Sequence, residues 1–251
     1  MIDMTGKTVL VTGGSRGIGA ATVPALLGLG ADVVVHYGRS KDAAQALVDA
    51  AGPGRALAVG GDLADAAATE AVWDAAQAWK GRIDVLVNNA GIYEAADPDG
   101  DLDAFLASWE RTLRVNLTAV GQLCRRAVRH FRAKGGGAIV NVASRASFRG
   151  DSYGYMQYGA SKGGMIALTR SIARHCAADG ITAYAVAPGF VATEMTDAVS
   201  AEEMAGVVAE IPMGAIAPAG EVANIIAFLA SGAATHASGT TVDINGASYV
   251  R

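Results

Sequence analysis

Cysteine is nearly absent, with Cys124 and Cys176 the only two in 251 residues. Two isolated thiols without a CxxC spacing supply neither a disulfide framework nor a cysteine-based metal site. Histidine is scarce as well: His36, His130, His175 and His236 are scattered without metal-ligand spacing, so no metal is expected. Charged residues are few, at 18%, and the net charge is −4. That balance lacks the basic footprint of nucleic-acid binding. There is no uninterrupted apolar run of about 18 residues that would cross a membrane. No apolar leader precedes the strand-like run near Thr8, so the expected setting is the cytoplasm. What the chain does have is aliphatic bulk. Hydrophobic residues reach 51% although aromatics supply only 6%, enough for a sizeable core and too much for disorder. Glycine is plentiful at 32 residues, more than ordinary turns need, which points to close approaches between backbone and ligand.

Short Val/Leu/Ile-rich runs alternate with longer helical patterns. Lys7–Thr12, Asp32–Tyr37, Ala56–Gly60, Ile83–Val87, Ala138–Val142, Thr182–Ala187 and Thr241–Ile244 read as strands. Several are apolar almost throughout, as strands covered on both faces are. Helical patterns run over Ile18–Leu29, Ala43–Ala51, Ala66–Trp79, Leu102–Ala133, Tyr158–Ala178 and Val222–Ala230. The alternation predicts an α/β, doubly wound Rossmann fold with a seven-stranded parallel sheet. With no repeat or linker to divide it, the chain reads as a single dinucleotide-binding and catalytic domain over 1–251. Pro24 falls inside the first helical pattern and predicts a local kink. The segment 190–220, with Met195, Met204 and Met213, is longer than a normal crossover. It reads either as ordinary helical packing or as a substrate lid.

Thr12-Gly13-Gly14-Ser15-Arg16-Gly17-Ile18-Gly19 follows the first strand and opens the first helix. Glycines there let the turn close and let the backbone approach a pyrophosphate at the helix N-terminus. The spacing of Gly13, Gly17 and Gly19 departs from GxGxxG and resembles the TGxxxGxG loop of the short-chain dehydrogenase/reductase family. The resemblance continues through Asn88-Asn89-Ala90-Gly91, Asn116, Ser144, Tyr158-Gly159-Ala160-Ser161-Lys162 and Pro188-Gly189, in the family's order and near its spacings. Among family members the chain resembles β-ketoacyl-acyl-carrier-protein reductases. A ketoreductase is therefore expected.

Tyr158 and Lys162, four residues apart, share one helix face. Nearby positive charge would lower the phenol's usual pKa of about 10. Tyr158 then serves as general acid in carbonyl reduction and general base in reverse. Ser144, just past a strand end, is placed to align the substrate oxygen. It is preferred over Ser147 because its interval to Tyr158 is nearer the family's. The resemblance implies that Lys162 also binds the nicotinamide ribose and that Asn116 supports a water path for the proton. It extends the cofactor-contacting set to Ser15, Arg16, Ile18, Asn89, Ala90, Gly91, Asp62 and Leu63 near the adenine, Pro188, Gly189, Val191 and Thr193.

No Asp or Glu stands at the end of the second strand, where one would bind the ribose hydroxyls of NAD. The end reads Val35-His36-Tyr37-Gly38-Arg39-Ser40, and Asp32 comes too early. Arg39, with Ser40 beside it and Arg16 opposite, suits a 2′-phosphate, so NADP(H) is the expected cofactor. The expected substrate is a small carbonyl or alcohol, with an acyl-carrier-protein-linked group as one possibility. Arg125, Arg126, Arg129 and Arg132 make a basic helix face that would meet an acidic carrier, a subunit or only solvent. Phe148, Tyr153, Tyr155, Met156 and Phe190 are candidates for an apolar pocket or for core packing. The family resemblance implies a homotetramer. An NAD-linked alcohol dehydrogenase and a non-catalytic NADP(H)-binding sensor are the alternatives.

Overall fold

The computed structural model describes residues 2–194, 196 and 200–251. Seven parallel strands form one sheet: β1 (Thr8–Val11), β2 (Asp32–Tyr37), β3 (Ala56–Gly60), β4 (Val85–Asn88), β5 (Gly137–Val142), β6 (Ile181–Pro188) and, last in the chain, β9 (Thr241–Ile244). Their order is β3-β2-β1-β4-β5-β6-β9, the doubly wound arrangement expected from the sequence. A separate two-stranded sheet pairs β7 (Val191–Ala192) with β8 (Ala217–Pro218).

The central strands are apolar on both sides because helices cover both faces. Successive residues alternate between two cores, as the twofold strand period requires. Val9, Val11, Val33, Val35, Val85 and Val87 pack on the face covered by α1 (Gly17–Gly28) and α9 (Ala219–Ala230). Leu10, Val34, Leu86 and Ile139 pack on the other, with residues of α3 (Ala66–Lys80), α5 (Ala119–Lys134) and α7 (Met156–Cys176). The remaining helices are α2 (Lys41–Ala51), α4 (Leu102–Leu113), the short α6 (Ala146–Arg149) and α8 (Ala201–Ala209). Helix starts follow local chemistry: Asp65 accepts from the Ala68 N–H at 2.8 Å, and Asp101 accepts from Ala104 at 2.9 Å. Ser200 and Glu203 form a reciprocal capping box on α8.

The structure corrects the sequence reading at one helix. Leu102–Ala133 is not continuous: a π-helical turn at Arg114–Thr118 separates α4 from α5. The turn carries Asn116, and its wider backbone ring turns that side chain toward Ile92 instead of leaving it on a regular helical face. Helix α1 passes through Pro24 without interruption. In the 190–220 segment, β7 and β8 tie the two ends together, and α8 buries none of its residues. Of its three methionines, Met195 lies outside the described residues, Met204 is on α8 and Met213 is 76% exposed. Among the described residues, no helix is long and apolar enough to cross a membrane.

Trp73 of α3 is fully buried in the second core, and its Nε1–H donates to Gln77 at 3.0 Å. Trp73→Ala leaves a large cavity and an unpaired amide. We expect it to cost about 3–5 kcal/mol of stability in urea unfolding. A loss under about 1 kcal/mol would contradict close packing of α3 on the sheet.

Candidate active site

The glycine turn between β1 and α1 is braced from two sides. Asn89 donates through Nδ2 to the carbonyls of Thr12 at 2.9 Å and Gly13 at 3.0 Å. The Thr12 hydroxyl accepts from the backbone N–H groups of Asn89 and Ala90 at 3.0 and 3.1 Å. The space is tight enough to require glycine. A Cβ on Gly19 would sit 2.2 Å from the Gly13 carbonyl oxygen, and one on Gly13 would lie 2.9 Å from the Ala90 Cα. Gly13 and Gly17 also adopt positive φ, at 61° and 52°.

From the β2 side, the Gly13 N–H donates to His36 Nδ1 at 3.0 Å. Because Nδ1 accepts, the ring proton is on Nε2, which faces the Gly61 carbonyl at 3.0 Å. His36 is therefore held neutral, and burial lowers its pKa while the Gly61 contact and Asp62 oppose that shift. Neither Thr12 nor His36 was singled out as a site residue. His36 carries no motif, and only the fold shows that a strand-end imidazole reaches across to the loop.

Helix α1 has no side-chain cap from Arg16. Its Gly17 N–H instead donates to the Glu194 carboxylate at 3.1 Å. An acidic group thus already occupies the helix N-terminus where a phosphate would be favoured, and Thr193 lies against Gly17. This turn fits a dinucleotide pyrophosphate.

Farther along the β2 edge, Arg39 and Arg16 are exposed and form no ion pair among the described residues. Asp32, by contrast, is committed at the opposite end of β2 to Arg55 at 2.9 Å and Lys80 at 3.0 Å. Ser40 precedes α2. Asp62 accepts from the Ala64 N–H at 2.9 Å, and Leu63 is buried beside it.

At the C-terminal ends of β4 and β5, the structure brings Asn116, Ser144, Tyr158 and Lys162 together. Asn116 is fully buried, donates to the Ile92 carbonyl at 2.9 Å and accepts from its N–H at 2.8 Å. A Cβ on Gly91 would fall 3.4 Å from both Asn116 Oδ1 and Lys162 Nζ, so the two groups flank that glycine. Lys162 is 3% exposed, donates from Nζ to the Val142 carbonyl at 2.8 Å and lies 5.7 Å from the Tyr158 ring centre. Burial lowers its pKa to about 8. Burial pushes the Tyr158 phenol up to about 12, with Ser144 pulling it down and Asp151 adding to the rise. Ser144 is near enough to act on the Tyr158 phenol, and its hydroxyl accepts from the Ala146 N–H at 3.2 Å; the Ser147 hydroxyl is buried without a partner.

Tyr93, which carries no sequence signal, lies edge-on to Tyr158 with ring centres 4.8 Å apart and stacks on Tyr155 at 4.0 Å. Of the other pocket candidates, Phe190 lies beneath the Arg145 guanidinium at 5.3 Å and Phe148 beneath Arg251 at 3.8 Å. Tyr153 is 59% exposed and Met156 lies at the surface. Pro188 closes β6 opposite Ile244, Gly189 packs against Asn245, and Val191 starts β7. Both cysteines are buried and free.

The His36 contact makes the glycine turn sensitive to acid. Its folded pKa is depressed, so the unfolded chain takes up the proton first as pH falls below about 6.5. Its contribution is full above that value and declines as pH falls toward the folded pKa. Urea midpoints measured from neutral pH downward should fall less steeply for His36→Gln than for the parent. Parallel curves would place His36 outside this linkage.

A family model for short chain dehydrogenases matches residues 7–204. The chain is 37% identical over 255 residues to the 3-oxoacyl-(acyl-carrier-protein) reductase FabG of Escherichia coli, covering 99% of this chain and 100% of that protein. It is 41% identical over 242 residues to the cis-4-hydroxycyclohexanecarboxylate dehydrogenase of Sinomonas cyclohexanicum, covering 96% and 95%. A crystal structure from Sinorhizobium meliloti, assigned as a short-chain alcohol dehydrogenase, superimposes with a TM-score of 0.89 at 33% identity over 98% of this chain and 97% of that one. A seven-stranded Rossmann sheet, a braced glycine turn and full-length similarity agree: the chain is an oxidoreductase of the short-chain dehydrogenase/reductase family.

Proposed function

We propose that the protein is an NADP(H)-dependent ketoreductase that interconverts a carbonyl and a secondary alcohol, with reduction of a ketone or 3-oxoacyl group as its main direction. The observation that carries this reading is the convergence of Ser144, Tyr158 and buried Lys162 beside the glycine turn. A sensor that only binds the cofactor needs no proton donor at that place.

A nicotinamide dinucleotide held by Gly13, Ser15, Arg16, Gly17, Ile18, Gly19, Asn89, Ala90 and Gly91 supplies hydride chemistry. Asp62 and Leu63 would border the adenine, while Pro188, Gly189, Val191 and Thr193 would border the nicotinamide side. The protein's own part is binding, alignment and proton transfer. Ser144 hydrogen-bonds the substrate oxygen, and Tyr158 gives that oxygen its proton as the carbonyl is reduced. The Lys162 ammonium stabilises the negative charge left on the phenol and also takes the nicotinamide ribose. Asn116, locked onto Ile92, holds its place in the proton path. The segment 190–220, clamped at its base by β7 and β8, serves as the lid of a single catalytic domain.

NADP(H) is supported by the exposed Arg39 and Arg16, neither ion-paired among the described residues, and by the commitment of Asp32 elsewhere. The likeness to the E. coli reductase supports a 3-oxoacyl substrate. Carrier-protein docking is less supported, since Arg126 is paired with Glu70 and Asp74 and Arg132 with Asp179. The likeness to the Sinomonas enzyme supports a second reading, oxidation of a cyclic alcohol. A cytoplasmic homotetramer is the expected assembly, and the exposed Leu102 and Leu106 of α4 suit a subunit contact.

Tyr158→Phe should lower the rate of NADPH-dependent ketone reduction by about 100-fold or more while leaving NADPH binding in place. Turnover within a few-fold of the parent would remove Tyr158 as the proton donor. Because Lys162 loses its positive charge as pH rises through about 8, reduction should decline across that interval, and Lys162→Arg should flatten the decline. Arg39→Ala should reduce the preference for NADPH over NADH by about tenfold or more, the loss of one charge-assisted contact. An unchanged ratio of kcat/KM values would reverse the cofactor assignment.

A further inference from the structure

Ser144 is followed by an arginine that the proposed reaction leaves unused. Arg145 is 7% exposed, and its backbone N–H donates to the Pro188 carbonyl at 2.9 Å. Its stem passes Gly189, where a Cβ would lie 3.7 Å from Arg145 Cδ. The head lies over the Phe190 ring at 5.3 Å and donates to the Ser248 hydroxyl at 2.6 Å. The residue thus runs from the catalytic serine to the place where the 190–220 segment and the C-terminal turn meet.

A guanidinium has five N–H donors. Among the described residues, Ser248 is the only side-chain partner of this one, and no carboxylate pairs with it. Two carboxylates are near enough to act on it electrostatically, Asp151 and Glu210, and both are engaged elsewhere. Asp151 accepts from the Tyr93 hydroxyl at 3.3 Å and from the Ser152 N–H at 2.8 Å. Glu210 pairs with Arg149 at 3.4 Å. A buried cation without a counter-ion is costly, and burial lowers its pKa, with Arg149 adding to that effect. Phe190 lies on one side of the group and Ser248 takes one N–H, which leaves further N–H donors for an anion. A carboxylate is the simplest match, because it accepts two parallel N–H bonds.

We infer that Arg145 binds a carboxylate carried by the substrate, so that the enzyme acts on oxo acids or the corresponding hydroxy acids. The carboxylate engages Arg145 while the carbonyl carbon faces Ser144 and Tyr158. This inference rests on the reaction assigned to that pair above. It differs from a 3-oxoacyl thioester substrate, which presents no free carboxylate at this end.

The test compares levulinate, 5-oxohexanoate and 4-oxocyclohexanecarboxylate, each against its methyl ester, with NADPH and NADH, in the full chain. At least one acid should exceed its ester by roughly 30-fold in kcat/KM, the loss expected when a buried charge pair is broken. Arg145→Met should erase most of that acid-to-ester ratio, and Arg145→Lys should keep part of it. Should Arg145→Met fail to fold, the parent's ratio and Arg145→Lys still decide the question. Esters reduced as well as acids across the set, or a ratio unchanged in Arg145→Met, would overturn the carboxylate site while leaving the ketoreductase reading intact. No turnover of any ketone, including cyclohexanone, would sink both.

Discussion

Strand β1 has β2 on one side and β4 on the other, and the whole site depends on that reversal of direction in the sheet. The chain leaves β1 toward one edge and later returns to fill the other, so the segments leaving the strand ends part above β1. The parting opens a crevice at the carboxyl ends of β1 and β4. Above the β1–β4 ladder, where Val9–Val11 pair with Val85–Val87, the loops leaving the two strands are separated by a gap. The bonds from Asn89 to the Thr12 and Gly13 carbonyls, and from the Asn89 and Ala90 amides to Thr12, bridge that gap. His36 adds a third tie from β2. The glycine turn is thus held by short polar contacts rather than by side-chain bulk.

The same economy sets the register of α7, the helix that carries Tyr158 and Lys162. Asn88 of β4 donates to Asn141 of β5 at 2.8 Å, Asn141 donates to Thr169 of α7 at 2.8 Å, and the Thr169 hydroxyl donates to the Met165 carbonyl. About two turns nearer the site, Lys162 reaches the Val142 carbonyl. Buried polar contacts of this kind have few acceptable alternatives. A shift of α7 by one residue would orphan the Asn141 amide and the Lys162 ammonium together. The geometry of the candidate catalytic pair is therefore fixed from inside the sheet, not by the surface of the helix.

Elements that repeat a simple period were readable in the sequence. The apolar strand runs from Lys7 to Ile244 and the helices after them followed from alternation of length and polarity, and each appears in the fold. The ordered motifs pointed to Ser144, Tyr158, Lys162 and the glycine turn, which the fold brings to the carboxyl end of the sheet. What escaped was whatever depends on a partner distant in sequence. A π turn costs one extra residue per ring and leaves no mark in an otherwise helical pattern, so Leu102–Ala133 read as one helix. His36 reaches Gly13 from a neighbouring strand, and Tyr93 meets Tyr158 across 65 residues of chain. Asp32 was set aside for its place in the strand, and its ion pairs with Arg55 and Lys80 give that choice a physical basis.

The proposed proton donor and the proposed carboxylate contact are built on different parts of this chain. The Tyr158–Lys162 pair is pushed toward its neutral forms by burial, the phenol upward and the amine downward. Proton transfer in the proposed reaction therefore depends on charge arriving in a partly buried site, where each charge acts more strongly than in open water. That arrangement tolerates little movement. The surroundings of Arg145 are of another kind: Phe190 leads into a segment whose α8 buries nothing, and Ser248 lies in the C-terminal turn. One scaffold of this construction can keep its proton donor fixed while the anchoring group beside it is changed, because the two share a chain neighbour, Ser144 and Arg145, but not a supporting layer.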